Sequence, residues 1–322
     1  MFPSHDQWGC LQIQGLVVTL INQSSSTTNI LGKRKSGAGN IYTDIIGMFK
    51  LFVNIACFKD PDLINTINDA FSKAKYPERI FIGVSEQSEA PNTQVQKIQN
   101  IRYKFTPSNF SKGTGWHRNE IYKELYDGED FCLTVDSHCR FKYNWDDIYI
   151  NTLLERGENV VLTGFPPNFD FDEDYDYYTS ERAYNTYNMI EHLSDNFHMR
   201  GRGIGVQDDF KETAVVSGSN TFSSGAFTQL SLFNEYLHPF LDQEITSCMA
   251  FMYGHKVEFM REALVWHNYR NNSPGSKEKY RTLVSEEVKL TGYISEFVDV
   301  LNQRNSPRSA TEWTQHILKF KQ

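Results

Sequence analysis

Asp136 and His138 are the residues whose types and spacing most directly offer chemistry. On an extended segment, residues two apart point to the same side. A carboxylate and an imidazole can therefore converge on one cation there, while Ser137 faces away. A divalent metal bound to a diphosphate asks for a few oxygen or nitrogen ligands, with positions left open for phosphate oxygens and water. Asp-x-His is also commonplace in surface turns that bind nothing, so the pair gains meaning only from its place in the fold. A second stretch, Gly201-Arg202-Gly203-Ile204-Gly205, resembles a dinucleotide loop in outline. It lacks the final spaced glycine and follows a region, Tyr184 to Leu193, that reads as helical, so it is taken as a flexible loop.

The elements that must position Asp136 and His138 alternate between strand and helix. Leu51 to Cys57 is an apolar run of strand length, and Arg79 to Val84, Ile98 to Phe105, Phe131 to Val135 and Val160 to Thr163 read as further strands. Asp60-Pro61 opens a helical pattern through Ile64, Ile67 and Phe71, with Asp60 as the expected N-cap and Pro61 in the first turn. A second helix is expected from about Trp116 to Tyr126, ending at Asp127-Gly128. Strand, helix, strand at this spacing predicts an α/β fold with a mainly parallel central sheet flanked by helices. Ligands in such sheets sit beyond the carboxyl ends of the strands, and Asp136-Ser137-His138 directly follows the fourth strand.

Residues 1–48 differ from the rest: Gln23 to Asn40 is rich in Ser, Thr, Asn and Gly, which predicts a loosely packed extension. The main domain is expected over 49–275 and a helical C-terminal segment over 276–322. Phe169 to Tyr178 holds five acidic and five aromatic residues, read as a solvated loop or as an acceptor-binding lid. The net charge of −8 argues against a nucleic-acid partner, which demands a basic surface. Five cysteines without a C-x-x-C pair point to a reducing, cytoplasmic compartment. The apolar run Leu16 to Ile21 is too short to span a membrane and lacks a clear cleavage site after it, so neither a signal peptide nor a membrane segment is expected.

Several segments together resemble those of two related groups of glycosyltransferases of the GT-A type. Val135-Asp136-Ser137-His138-Cys139, followed by Asn144-Trp145-Asp146, is similar to their metal-binding segment. Ile55 to Pro61 resembles their first strand and turn, and Tyr76-Pro77-Glu78-Arg79-Ile80 continues the match. Trp116-His117-Arg118-Asn119 resembles the helix before the metal strand. Ser223-Ser224-Gly225-Ala226-Phe227 resembles the small-residue segment at the donor sugar. His238 to Glu244 resembles the acidic helix start, and Val265-Trp266-His267-Asn268-Tyr269-Arg270 the late histidine segment. The two groups are the polypeptide N-acetylgalactosaminyltransferases and the cytoplasmic N-acetylglucosaminyltransferases of the Skp1-hydroxyproline type, the second being the closer match. The resemblance covers roughly residues 51–270 and departs at Ser-Ser-Gly-Ala-Phe and at Asp242-Gln243.

That resemblance implies a retaining transferase with a GT-A, Rossmann-like fold. The enzyme would move a sugar, GlcNAc being favoured, from a UDP-sugar such as UDP-GlcNAc to a hydroxyl of a protein or glycan. The alternative is an inactive relative that binds a nucleotide sugar or a protein. Asp136, His138 and His267 would hold Mn²⁺ or Mg²⁺, which offsets charge on the leaving diphosphate. The plainer reading of His267 is a histidine hydrogen-bonded at a strand end. Arg118 would bind ribose or phosphate, or else is a helix-surface charge. Asp60 would contact uracil or ribose, or caps its helix. Ser224 and Gly225 would line the sugar, with Gly225 giving the backbone close approach; a turn glycine is its plainer role. Asp242 and Glu244 would hold sugar hydroxyls, or simply oppose a helix dipole.

Overall fold

The computed structural model describes residues 48–157, 159–169, 186–193, 197–203, 210–232, 242–269 and 298–320, the second hairpin segments 186–193 and 197–203 for their backbone alone. The N-terminal extension, most of the acidic-aromatic stretch and His238 to Leu241 lie outside the described residues.

The chain begins with β1 (Leu51–Phe58), α1 (Leu63–Lys73), β2 (Ile80–Ser88), β3 (Ile101–Pro107), α2 (Thr114–Glu124) and β4 (Phe131–Asp136). It continues through β5 (Cys139–Phe141), α3 (Trp145–Arg156), β6 (Val160–Thr163), β7 (Thr186–Leu193), β8 (Phe197–Gly203), β9 (Lys211–Thr213) and β10 (Asn220–Ser224). Then come α4 (Gly225–Leu230), α5 (Asp242–Met252), β11 (Lys256–Phe259), β12 (Val265–His267) and α6 (Ala310–Ile317). An eight-stranded sheet runs β3-β2-β1-β4-β10-β6-β11-β9. Its first half, β3-β2-β1-β4, is wholly parallel, β10 is antiparallel to both neighbours, and β6 and β11 are parallel again. The expected α/β class holds. β1 is apolar except for Asn54, as suits a strand inside a parallel sheet, and it is buried from Leu51 to Cys57.

α1 buries Leu63, Thr66, Ile67 and Ala70 and packs against β5. Its N-cap is Asp62 rather than Asp60; the Asp60 carboxylate instead accepts the Asp62 N–H at 2.9 Å, in a turn just before the helix. α2 is unusual in burying mainly polar residues: Gly115, His117, Arg118, Asn119 and Ile121. It is seated by hydrogen bonds as much as by apolar contact. Asn54 in β1 donates to the Arg118 carbonyl at 2.8 Å, and the Ser85 hydroxyl of β2 bonds His117 Nδ1 at 2.9 Å. Both sheet residues are fully buried, so each bond satisfies a polar group that would otherwise be orphaned.

The region Tyr184 to Leu193, read from sequence as helical, is a strand from Thr186 and pairs with β8 in an antiparallel hairpin. Gly201 to Gly203 belongs to that hairpin rather than to a loop. The C-terminal helix α6 buries Trp313 and Ile317 against Cys248, Met249 and Met252 of α5. That contact backs the helix whose first turn carries Asp242 and Glu244. Trp313→Ala is expected to lower stability by about 3–5 kcal/mol, the usual cost of emptying a buried indole site, as read from urea unfolding.

Candidate active site

β1 and β4 are parallel neighbours with Ala56 opposite Asp136, so their carboxyl ends open on the same side of the sheet. β1 runs on to Phe58, and the chain then turns through Lys59 at φ 48°, whose N–H is held by the Gln87 carbonyl at 2.9 Å. This turn brings Asp60 back over the residues that follow β4. Its Oδ2 accepts from the Ser137 hydroxyl at 2.6 Å and from His138 Nδ1 at 2.5 Å. Residues 137 and 138 form a bend rather than an extended strand. Alternation therefore does not apply there, and Ser137 and His138 reach the same carboxylate oxygen instead of facing apart.

His267 arrives from β12, which pairs antiparallel with β5 so that His267 lies opposite Cys139, next to His138. Its backbone is pinned on both sides: its N–H donates to the Pro167 carbonyl at 2.9 Å, and the Asn268 N–H to the His138 carbonyl at 3.0 Å. Tyr269 packs its ring on the imidazole at 4.2 Å between centroids. His267 Nε2 is 2.9 Å from Asp136 Oδ2, and the His138 and His267 ring centroids are 4.4 Å apart. One ligand atom from each of Asp136, His138 and His267 falls within 4.8 Å of the others.

This donor set fits a divalent cation. The Asp60 carboxylate is an acceptor, so the His138 nitrogen facing it carries hydrogen, and Nε2 is the nitrogen left for a metal. One carboxylate and two imidazoles make a mixed oxygen and nitrogen donor set of the kind divalent metals accept.

Arg118 is buried and reaches out of α2 to Asp136 Oδ1 with Nη2 and to Asp242 Oδ2 with Nη1, the latter at 2.5 Å. The helix-surface reading of Arg118 is thereby overturned. Burial works to raise the Asp136 carboxyl, but Arg118 and His267 outweigh it and hold the group well below the usual carboxylate range. Burial likewise opposes charge on His138, yet the hydrogen bond to Asp60 and the Asp136 charge leave its pKa raised.

Asp242 and Glu244 both lie in the first turn of α5, where carboxylates oppose the helix dipole. Glu244 is buried, and its Oε2 has no hydrogen-bond partner among the described residues. Burial, reinforced by the charge of Asp242, pushes its carboxyl up to about 8, so it is protonated at neutral pH.

Ser224 and Gly225 do not join this group. β10 runs antiparallel to β4, and Ser224 pairs with Phe131, five residues before Asp136 and so about 16 Å away along the strand. Ser224 caps α4 by accepting the Phe227 N–H at 3.2 Å. Gly225 is required by packing: a Cβ there would sit 2.2 Å from the Glu129 carbonyl oxygen. The glycine at the site is Gly218, just before β10 begins. A Cβ there would lie 2.6 Å from Arg118 Nη1 and 3.4 Å from Asp242 Oδ2. Sequence reading missed it because the small residues at both ends of β10 look alike; only the strand direction separates them.

The family model for Glycosyltransferase (GlcNAc) matches residues 50–99 and 89–291. The chain belongs to this glycosyltransferase family. The matched segment contains Asp60, Arg118, Asp136, His138, Asp242, Glu244 and His267. Comparison with curated proteins gave no match. Among solved structures, the glycosyltransferase chain is similar to S. aureus TarS in complex with UDP-GlcNAc, at 14% identity and a TM-score of 0.47 over 84% of this chain and 71% of that one. S. aureus TarS in complex with UDP gives 14% identity and 0.46 over 84% and 70%. A longer TarS chain is covered over 42% of its length, at 14% identity and 0.47 over 84% of this chain.

Two outcomes are expected of the site as built. Gly218→Ala would set a Cβ 2.6 Å from Arg118 Nη1 and push that arm off Asp242, so a lowered unfolding midpoint is expected, as read by calorimetry. Glu244 gives a pH signature. The folded protein keeps this proton between the ordinary value of 4.5 and about 8 while the unfolded chain releases it, so stability falls as pH rises through that window. The melting temperature of Glu244→Gln relative to wild type should therefore climb from pH 4.5 and level off above about 8.

Proposed function

We propose that this glycosyltransferase is metal-dependent and retaining, and that it moves GlcNAc from UDP-GlcNAc to a hydroxyl of a cytoplasmic protein, with hydroxyproline, Ser and Thr as the acceptor class. The observation that carries the reading is the convergence of Asp136, His138 and His267 beyond the carboxyl end of β4, in a chain of the GlcNAc glycosyltransferase family. These residues would hold Mn²⁺ or Mg²⁺. When bound, the metal neutralises charge on the departing diphosphate.

The chain's own residues supply the rest. The fixed fork of Arg118 suits a phosphate, and its position between two carboxylates keeps it oriented before the donor arrives. Asp242 accepts hydrogen bonds from sugar hydroxyls. Glu244, being neutral, can donate to the N-acetyl carbonyl or a hydroxyl oxygen as well as accept. Among the described residues no carboxylate is singled out as a nucleophile, and the family resemblance suggests a front-face reaction in which the leaving phosphate takes the acceptor proton. That path gives an α-linked product from an α-linked donor.

The test is UDP release from a panel of UDP-sugars, with and without Mn²⁺, for wild type and Asp136→Ala. Metal-dependent release that prefers UDP-GlcNAc and drops at least about 100-fold in the variant is expected, since Asp136 anchors both metal and Arg118. Absence of turnover together with absence of metal-dependent UDP binding would leave a nucleotide-sugar or protein-binding scaffold instead.

A further inference from the structure

Asp60 does not stand where a nucleoside contact would leave it free to act. Its Oδ2 takes two hydrogen bonds from the turn after β4, one from Ser137 Oγ and one from His138 Nδ1, and its side chain is only 2% exposed. Its Oδ1 accepts the Asp62 N–H, which fixes the carboxylate plane. The surrounding contacts make this placement rigid. Arg140 grips Asp62 with both terminal nitrogens, at 2.9 and 2.8 Å. The Thr66 hydroxyl donates to the Ser137 carbonyl at 2.8 Å and accepts the Cys139 N–H at 3.0 Å. The start of α1 is thus bound along one side of the Asp-Ser-His turn, from residue 137 to residue 140.

We propose that Asp60 is a positioning residue for the metal ligand His138: it keeps the hydrogen on Nδ1, fixes the ring plane and presents Nε2 to the cation. This rests on the metal-dependent reading above. The chemistry is that of a carboxylate behind a ligating histidine, which orients the ring and makes the free nitrogen a better donor. Ser137 shares the same oxygen and keeps the carboxylate from rotating away from the ring. A nucleoside contact and a helix cap, the roles the sequence suggests for Asp60, leave that tie unexplained.

The experiment has a metal-free arm and a metal arm. In metal-free protein labelled with ¹⁵N-histidine, with His138→Gln used for assignment, wild type should show a slowly exchanging, downfield Nδ1–H resonance of His138. It should be lost in Asp60→Ala. In the metal arm, Mn²⁺ affinity is read from the EPR signal of the free ion. Asp60→Ala should weaken it by about 10- to 100-fold, with Asp60→Asn between the two because its amide oxygen can still accept the Nδ1 hydrogen. Ser137→Ala, which removes the other partner of the same oxygen, should cost less than Asp60→Asn.

Wild-type affinity in both Asp60 variants, with the His138 resonance unchanged, overturns the inference while leaving the metal-dependent reading intact. No Mn²⁺ binding by wild type sinks both. Unchanged Mn²⁺ affinity with loss of UDP binding would return Asp60 to the nucleoside and overturn the inference alone. Asp60→Asn is nearly isosteric, so a fold collapsed in Asp60→Ala does not remove the test.

Discussion

The Asp136 carboxylate sits partly exposed at the end of a central strand, and Arg118 and His267 hold it in its charged form against the cost of burial. Desolvation of an ion costs several kcal/mol, and close partners offset that only with good geometry. Arg118 and His267 provide the geometry, each bonding a different oxygen of Asp136. The polar buried face of α2 follows from this requirement, since the helix must enter the core with a guanidinium on it. So does the extra strand pair β5–β12, which carries no central sheet role but places an imidazole beside the carboxylate. The start of α5 is tied in through the second arm of Arg118.

The site is therefore a balance of charges held by four separated parts of the chain rather than a pocket with groups added to its walls. Two anionic carboxylates, Asp136 and Asp242, share one guanidinium. A third, Glu244, is pushed toward its neutral form by burial and by the neighbouring charge of Asp242.

Much of this was legible from residue order because a parallel sheet writes itself plainly. Its central strands β1 and β4 are largely apolar runs, and the residues just past the carboxyl ends of such strands are where ligands gather. That is why Asp136 and His138 could be picked out, while Asp60, Arg118, Asp242 and His267 followed from the resemblance. What stayed hidden depends on direction and on breaks in period. Ser224-Gly225 and Ser217-Gly218 bracket one short strand, and only its antiparallel course decides which end meets the site. The hairpin at Thr186–Leu193 carries a register shift between Met189 and His192, which interrupts the two-residue alternation and lets the stretch pass for a helix. Asp60 before a proline and an apolar helix imitates an N-cap, and nothing local reveals that its carboxylate is claimed by a histidine 78 positions away.

That separation also has a meaning in time. Asp60 meets His138 across 78 positions and Asp136 meets His267 across 131, so of the whole cluster only Asp136 and His138 lie within one short stretch of chain. Contacts of such long reach form only after the intervening loops have been closed, at an entropic cost that slows folding. The charged groups must thus remain solvated until the sheet is nearly complete and then be dehydrated together. A chain still lacking β12 carries Asp136 and His138 without His267.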